Sequence, residues 1–202
     1  MSKRKLALDD IADMRAYERE REHFRQRVIA LKRRRRVSVG PHITFVFENR
    51  DTIRFQIQEM ARIERLYADE QIENELRAYN PLIPEPGHLS ATMFIELTDD
   101  ALLRQWLPKL VGVERAVQLQ IGEGADAERV AFASDSEHDE QLTRAEVTSA
   151  VHYVHLSLDP QQIERFASSP VTLAIDQPNY RHEARLGDTT IAELLTDLRD
   201  DE

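Results

Sequence analysis

Residues 89 to 97 alternate between apolar and mixed positions, and this alternation constrains the fold more than any other feature of the sequence. One face carries Leu89, Ala91, Met93, Ile95 and Leu97. The other carries His88, Ser90, Thr92, Phe94 and Glu96. Side chains with a period of two alternate across a β-strand, so this segment is predicted as a strand with one apolar face. Such a strand requires a sheet that packs against a core on that side.

Further segments with strand character follow one another through short links. They are Ile43 to Phe47, Val117 to Ile121, Arg129 to Ala133, Val147 to Leu158 and Val171 to Ile175. The turn at 122–124 predicts a hairpin between the second and third of these. Short links favour antiparallel pairing, so we predict an α+β fold with an antiparallel sheet and helices packed on one side.

Residues 52–57 leave two interpretations open. Ile53, Phe55 and Ile57 alternate as in a strand, whereas Ile53, Ile57, Met60 and Ile63 recur as in a helix. We favour a helix from about Phe55 onward.

A long amphipathic N-terminal helix is predicted over residues 9–36. Its stripe has spacings of three and four residues and consists of Met14, Tyr17, Arg21, Phe24, Val28 and Leu31. The stripe is too short for a long coiled coil. It predicts docking on the body of the protein or on a second subunit.

The length of 202 residues predicts a single domain over 1–202, with a basic helical segment at 1–36 and an α+β body at 37–199. The chain contains no cysteine, which excludes thiolate metal sites, iron–sulfur ligation and thiol nucleophiles. The N-terminus lacks the apolar segment of a secretory signal, and no apolar run approaches the about 20 residues of a membrane span. We therefore expect a cytoplasmic protein without a membrane partner.

Charge is unevenly distributed along the chain. Residues 1–36 hold 13 Lys and Arg against 6 Asp and Glu, whereas residues 135–202 hold 5 against 15. Opposite charges predict attraction between the two ends, within one chain or between subunits. The acidic segment 134–141 is predicted as a loop.

A basic run at 32–36 has two interpretations. It has the composition of a phosphate-binding segment. However, the chain has a net charge of −10, and no aromatic residues are interleaved with the run. We expect these side chains to pair with acidic residues of this chain or of a partner, and we do not expect nucleic-acid binding.

The common catalytic and nucleotide-binding motifs are absent from the sequence. It has no dinucleotide-binding glycine motif, P-loop, nucleophile elbow, zinc-protease motif or EF-hand loop. With 6 glycines in the chain, a glycine-rich phosphate-binding loop is not expected.

A group of polar residues around one turn and one helix supplies the candidate site. The catalytic candidates are Glu48, Arg50, Glu59 and Glu64. The ligand-binding candidates are Asn49, Gln56, Tyr79 and Asn80. On a helical wheel Glu64 falls among Ile53, Ile57 and Met60, where a carboxylate needs a partner or acquires an altered pKa. The alternative is a structural ion pair, or a helix that ends before Glu64. Arg50 has the geometry to bind an anionic group through two hydrogen bonds.

A metal site is considered on the polar side of two strands, where His42 and Glu48 share one face and His88 and Glu96 share another. Six residues along a strand separate His42 from Glu48 by about 20 Å, too far for one ion. The alternative is a sheet face exposed to solvent. We predict no metal.

Several segments resemble a bacterial family, the domain of unknown function DUF3501. They are Arg27 to Arg33, Val39 to Arg50, Phe55 to Met60, Tyr79-Asn80, Leu89 to Thr92 and Ile175 to Tyr180. They are spread over most of the chain. The family has no assigned activity, so the resemblance transfers no catalytic residue and no cofactor. Genes of such proteins tend to lie beside rubrerythrin-like and iron–sulfur oxidoreductase genes, which implies an accessory role near redox or peroxide metabolism.

Two functions are compatible with these observations. The favoured one is a non-catalytic accessory protein that binds a protein partner or another copy of itself. The alternative is a metal- or anion-binding enzyme that uses the polar residues between positions 48 and 64. The cofactor, if one exists, is not identified by the sequence.

Overall fold

The computed structural model of the chain describes residues 4–134 and 147–199. It confirms an α+β fold with a long N-terminal helix. The α-helices in this part are α1 (Met14–Arg35), α2 (Arg50–Glu64), α3 (Asp69–Tyr79), α4 (Asp100–Trp106), α5 (Pro160–Ser168) and α6 (Asp188–Leu198). The predicted acidic loop at 134–141 lies, apart from its first residue, outside the described residues.

The strands form two antiparallel sheets, where the sequence predicted a single one. The five-stranded sheet has the order β1-β2-β3-β7-β6, and the four-stranded sheet has the order β5-β4-β8-β9. The strands are β1 (Arg36–Val39), β2 (Ile43–Phe47), β3 (His88–Ile95), β4 (Val117–Ile121), β5 (Glu128–Ala131), β6 (Ala133–Ser134), β7 (Val151–Ser157), β8 (Val171–Gln177) and β9 (Tyr180–Arg185). The predicted hairpin is confirmed by the pairing of β4 with β5.

The main core lies between the two sheets. The predicted apolar face of β3 contributes Leu89, Ala91 and Met93, which pack in one cluster with Leu119 of β4 and Leu173 of β8. These side chains are between 0% and 1% exposed. The alternation read from the sequence therefore identifies the inner face of the sandwich correctly.

The opposite face of the five-stranded sheet is covered by helices. Thr92 of β3 pairs in register with Tyr153 of β7, on the side away from the main core. Tyr153 packs against a second apolar cluster, which includes Ile53 and Ile57 of α2. The alternative of a solvent-exposed face holds at the two ends of this segment, where His88 and Glu96 are exposed. It is wrong in the middle of β3, where Ser90 and Thr92 are 2% and 6% exposed.

Helix α2 begins at Arg50, which resolves the ambiguity over residues 52–57 in favour of a helix. Asn49 is the N-cap: its side-chain oxygen accepts a 3.0 Å hydrogen bond from the Thr52 amide, and the Thr52 hydroxyl accepts one of 2.9 Å from the Asn49 amide. This reciprocal capping satisfies two amides that have no partner within the helix. The helix therefore starts earlier than predicted.

Helix α1 docks on the body of its own chain. Tyr17, Phe24 and Val28 of the predicted stripe are buried, and Arg21 forms an ion pair with Glu59 of α2. Its basic end reaches the last helix, where Arg34 and Arg35 pair with acidic residues of α6. The predicted attraction between the basic and acidic ends thus occurs within one chain.

Tyr180 joins the two sheets at the start of β2. Its hydroxyl donates a 2.7 Å hydrogen bond to the Val39 carbonyl and accepts hydrogen bonds from the amides of His42 and Ile43. Gly40 lies against the Tyr180 and His182 side chains with a φ of +72°, so the turn before β2 has no room for a larger residue.

None of the helices in the described part of the chain is both long and apolar enough to cross a membrane.

Candidate functional site

A cavity of about 240 Å³ lies between the helix-covered face of the five-stranded sheet and the helices α1, α2 and α3. We call it the sheet–helix cavity. Its lining residues are Lys32, Glu48, Ile53, Gln56, Tyr79, Leu82, Thr92, Phe94, Val151 and Tyr153. Of the predicted site residues, Glu48, Gln56 and Tyr79 meet here. The structure therefore brings together residues that are up to 31 positions apart in the sequence.

Glu48 supplies a buried carboxylate to this cavity. It follows the last residue of β2 and precedes the N-cap of α2, so the strand and the helix both fix its backbone. The residue is 5% exposed, and the Thr92 hydroxyl donates a 2.6 Å hydrogen bond to its carboxylate. The N-terminal end of α2 carries partial positive charge and so favours a carboxylate beside it.

The carboxylate of Glu48 accepts fewer hydrogen bonds than it can. Two carboxylate oxygens offer about four acceptor positions. Among the described residues, Thr92 alone donates a side-chain or backbone hydrogen bond to them. A buried carboxylate with so few donors is costly in free energy unless water or a ligand supplies the rest.

Two tyrosines face the same cavity from different elements. Tyr79 ends α3, and Tyr153 lies in β7. Burial, followed by the nearby charges of Glu75 and Glu64, raises the pKa of Tyr79, although the neighbouring Gln56 side chain lowers it. Burial, followed by Tyr79 and Glu48, raises the pKa of Tyr153. Both hydroxyls therefore stay protonated at neutral pH.

Lys32 adds a positive charge to the lining. It belongs to the last turn of α1 and is partly buried. Within the described ranges it has no ion-pair partner at 4.0 Å or less, so Lys32 and Glu48 line one cavity without pairing directly. Three other members of the basic run behave differently, because Arg34, Arg35 and Arg36 pair with acidic residues of this chain.

The remaining candidates lie elsewhere. The side chain of Asn49 caps α2 by accepting the hydrogen bond from the Thr52 amide. Arg50 forms a 2.6 Å ion pair with Asp10. Asn80 accepts a hydrogen bond from the Leu6 amide and donates one to the Leu6 carbonyl, so it holds the N-terminal segment in place.

Glu59 takes part in a structural ion pair on α2. It accepts hydrogen bonds from the Tyr17 hydroxyl at 2.7 Å and from two nitrogens of Arg21 at 2.8 and 2.9 Å. These contacts lower the pKa of Glu59 below its ordinary value. Arg50 and Glu59 are nine residues apart on one helix, about 14 Å along its axis, so they do not form one centre.

Glu64 is exposed, which corrects the predicted position on an apolar helix face. Helix α2 ends at Glu64, and Arg65 follows in a left-handed conformation. The buried side of the helix is formed by Ile53, Ile57 and Ala61. The alternative of a helix that ends before Glu64 is not met, because α2 includes Glu64 as its last residue. Burial, followed by the nearby charge of Glu64, raises the pKa of Glu75.

The four residues considered for a metal are divided between two ends of the sheet. His42 and Glu96 are neighbours at one end, where the Glu96 amide donates a hydrogen bond to the His42 carbonyl. Glu48 and His88 lie towards the other end of β3. Over residues 4–134 and 147–199, no group of three or more His, Asp or Glu residues has the arrangement of a metal site.

Sequence reasoning missed Lys32, Thr92 and Tyr153 as residues of the cavity. Thr92 and Tyr153 carried a usable signal, because both fall on the less apolar side of alternating strands. Lys32 was considered only as part of the basic run. Its distinct environment follows from tertiary packing, which a charge run does not reveal.

Comparison with known proteins identifies the same family that the sequence segments resemble. The family model described as "Protein of unknown function (DUF3501)" matches residues 5–198. A solved structure of a novel protein of unknown function from Burkholderia pseudomallei is similar, with 37% identity and a TM-score of 0.86. The alignment covers 96% of this chain and 100% of that chain. No curated protein matches at a significant level.

Proposed function

The chain belongs to the DUF3501 family, and we propose that it binds a small polar molecule in the sheet–helix cavity. The observation that carries this proposal is the buried carboxylate of Glu48, which faces the cavity with one hydrogen-bond donor. Apolar walls with a few convergent polar groups are typical of small-molecule sites. The volume of the sheet–helix cavity is below the range of about 300–1,000 Å³ that is typical of pockets for drug-sized ligands. This favours a ligand the size of a small metabolite.

Binding, rather than catalysis, is the function that this geometry supports best. The described lining offers one hydroxyl beside a carboxylate, Thr92 and Glu48, but no further described side chain hydrogen-bonds to the Glu48 carboxylate to orient it as a base. Its tyrosines have raised pKa values, so neither is prepared to act as a base near neutral pH. We therefore propose a binding protein, in agreement with the accessory role that the sequence analysis favoured.

The proposal is tested by closing the cavity. Replacing Val151 with phenylalanine adds a ring to the lining, whereas the same change at Val147, which is 39% exposed and does not line the cavity, serves as a matched control. The untagged proteins are denatured, and the released small molecules are analysed by mass spectrometry. A library of metabolites is screened in parallel for increases in melting temperature.

We expect a small molecule to be retained by the wild type and by Val147→Phe, and lost from Val151→Phe. Equal responses of the three proteins to every compound, with no retained molecule in any of them, would refute small-molecule binding.

A second candidate function is binding of a protein partner through a groove of about 470 Å³. This partner groove lies between the N-terminal segment, α2 and α3. Tyr67 in its lining is 72% exposed, and nearby Ile63 is 66% exposed. Its charged lining residues are Asp9, Asp13 and Asp69, and no Lys or Arg of the described chain lines it. We propose as its occupant a partner segment with apolar and basic side chains.

The partner groove is tested with an amphipathic peptide of leucine and lysine, whose binding is followed by fluorescence anisotropy. Tyr67→Ser should weaken binding at least tenfold, and added salt should weaken it further. The control Tyr67→Phe should bind as the wild type. Salt-independent binding, or a dimer in light scattering that buries Tyr67, would contradict this occupant.

Three further predictions remain proposals. They are a cytoplasmic location, association with another copy of the chain and a link to redox or peroxide metabolism.

A further inference from the structure

We propose that the ligand of the sheet–helix cavity is a small zwitterion that carries both an ammonium group and a carboxylate. This inference rests on the proposed small-molecule binding and adds the chemical class of the ligand. It is carried by two opposite charges, Glu48 and Lys32, which line one cavity and do not pair with each other.

The cationic end of the ligand is assigned to Glu48. The carboxylate is buried and has acceptor positions that the described residues leave unused. An ammonium group supplies up to three donors and cancels the charge, which removes the cost of burying the carboxylate alone. The rings of Tyr79, Phe94 and Tyr153 also line the cavity, and aromatic faces attract an ammonium ion.

The anionic end is assigned to Lys32. A carboxylate there gains an ion pair with the Lys32 ammonium. Tyr79 and Tyr153 line the same cavity and stay protonated at neutral pH, so neither adds a negative charge that would compete with the ligand carboxylate for Lys32.

The remaining lining limits what joins the two charged groups. Ile53, Leu82 and Val151 are apolar, so the connecting part of the ligand is a hydrocarbon. A ligand with a single positive charge would face Lys32 without compensation, and a ligand with a single negative charge would face Glu48 in the same way. A zwitterion is therefore the class that satisfies both charges at once.

The test uses probes of equal chain length and different charge. They are 5-aminopentanoate and L-norvaline as zwitterions, pentylamine as the cation and pentanoate as the anion. Isothermal titration calorimetry on the full chain measures each affinity, with probe concentrations up to about 10 mM because such small ligands bind weakly. We expect one of the two zwitterions to bind at least tenfold more tightly than both singly charged probes.

Two variants assign each end of the probe. Glu48→Gln should abolish the preference for the zwitterion over pentanoate, because the ammonium then loses its partner. Lys32→Gln should abolish the preference over pentylamine. The matched controls are Glu96→Gln, an exposed carboxylate directly after β3, and Arg33→Gln, the next residue of α1. Neither lines the cavity, and both should retain wild-type affinities.

The outcomes separate this inference from the proposed function. Pentylamine or pentanoate binding as tightly as both zwitterions, or a retained molecule that lacks either charge, overturns the ligand class and leaves small-molecule binding intact. Binding of no probe also overturns the ligand class. Small-molecule binding itself is refuted only if, in addition, the wild type, Val147→Phe and Val151→Phe respond equally to every compound and none of them retains a molecule.

Discussion

The guanidinium of Arg35 donates hydrogen bonds of 2.7 and 2.9 Å to the two carboxylate oxygens of Asp197. Arg35 ends the first helix and Asp197 lies in the last, so this contact links the two ends of the chain. The Arg35 side chain is fully buried. Such a pair contributes little over an apolar replacement, but the loss of Asp197 leaves the buried Arg35 with one described carboxylate partner, Glu193 at 3.1 Å.

Asp197→Ala should therefore lower the free energy of unfolding by about 3 kcal/mol, the lower end of the range for breaking a buried pair because Glu193 remains beside Arg35, and urea denaturation measures this loss. The control is Arg34→Ala, which removes a partly exposed ion pair with Glu193 and should cost about 1 kcal/mol or less. A similar small cost for both variants would show that the buried pair does not hold the helices together.

Thr92 and Glu48 should be coupled in stability. Thr92→Val removes a donor from a buried carboxylate and should lower the free energy of unfolding by about 1–3 kcal/mol. In a Glu48→Gln background, Thr92→Val should lower the free energy of unfolding clearly less. Leaving a neutral amide without the hydrogen bond from Thr92 costs less than leaving a carboxylate without it. Denaturation of the four proteins gives the coupling energy. Equal costs in the two backgrounds would refute a direct interaction.

Glu59 should contribute to the acid sensitivity of the protein. Its pKa in the folded protein lies below the ordinary glutamate value of 4.5, chiefly because of the hydrogen bond from Arg21. Its stabilising contribution is complete above the ordinary value and is lost as the pH falls through the lowered pKa. Glu59→Gln should thus cost about 1–3 kcal/mol at pH 7 and show a shallower loss of stability below pH 4.5.

The measurement is the free energy of unfolding as a function of pH. The control is Glu73→Gln, an exposed glutamate of α3, whose curve should run parallel to that of the wild type. If Glu59→Gln also runs parallel to the wild type below pH 4.5, the ion pair with Arg21 does not contribute to acid unfolding.

Gly40 should be far less tolerant of alanine than Gly112. Both have a positive φ, of +72° and +80°, so alanine is strained at either position by about 1 kcal/mol. At Gly40 a β-carbon would also lie 2.5 Å from a ring atom of His182 and 2.6 Å from the Tyr180 hydroxyl, whereas Gly112 has nothing within 4 Å. Thermal unfolding should show at least about 1 kcal/mol of additional loss for Gly40→Ala. Equal losses would mean that the turn before β2 adapts freely.

The alternation of β3 was sufficient to predict its position and its apolar face, because the period of two is a local property. It did not predict what covers the other face. Ser90 and Thr92 have the composition of exposed strand residues, yet both are buried on the helix-covered face. Burial of small polar residues depends on which element packs above them, and this information is not local.

Only part of the candidate site could be predicted, because some of its residues are close in sequence and others meet only through tertiary packing. Glu48 and Gln56 were placed together because they are close in sequence, and they do share the cavity. Glu64 was misplaced because a helical wheel gives the face of a residue but not where along the helix the covered part stops: Glu64 is in the last turn of α2, beyond the last buried residue, Ala61. Tyr153 and Lys32 join the cavity from distant parts of the chain, through strand register and helix docking.

The meeting of β1 with β9 has a consequence for the behaviour of the protein at high concentration. These are terminal strands of their respective sheets, and each has backbone groups that another molecule could pair with. Because they lie against each other beside Tyr180, the two edges shield one another from strand addition. The edges at the other side are short, with four residues in β5 and two in β6. Among the described strands, the edges of β1 and β9 thus offer little template for aggregation by strand addition.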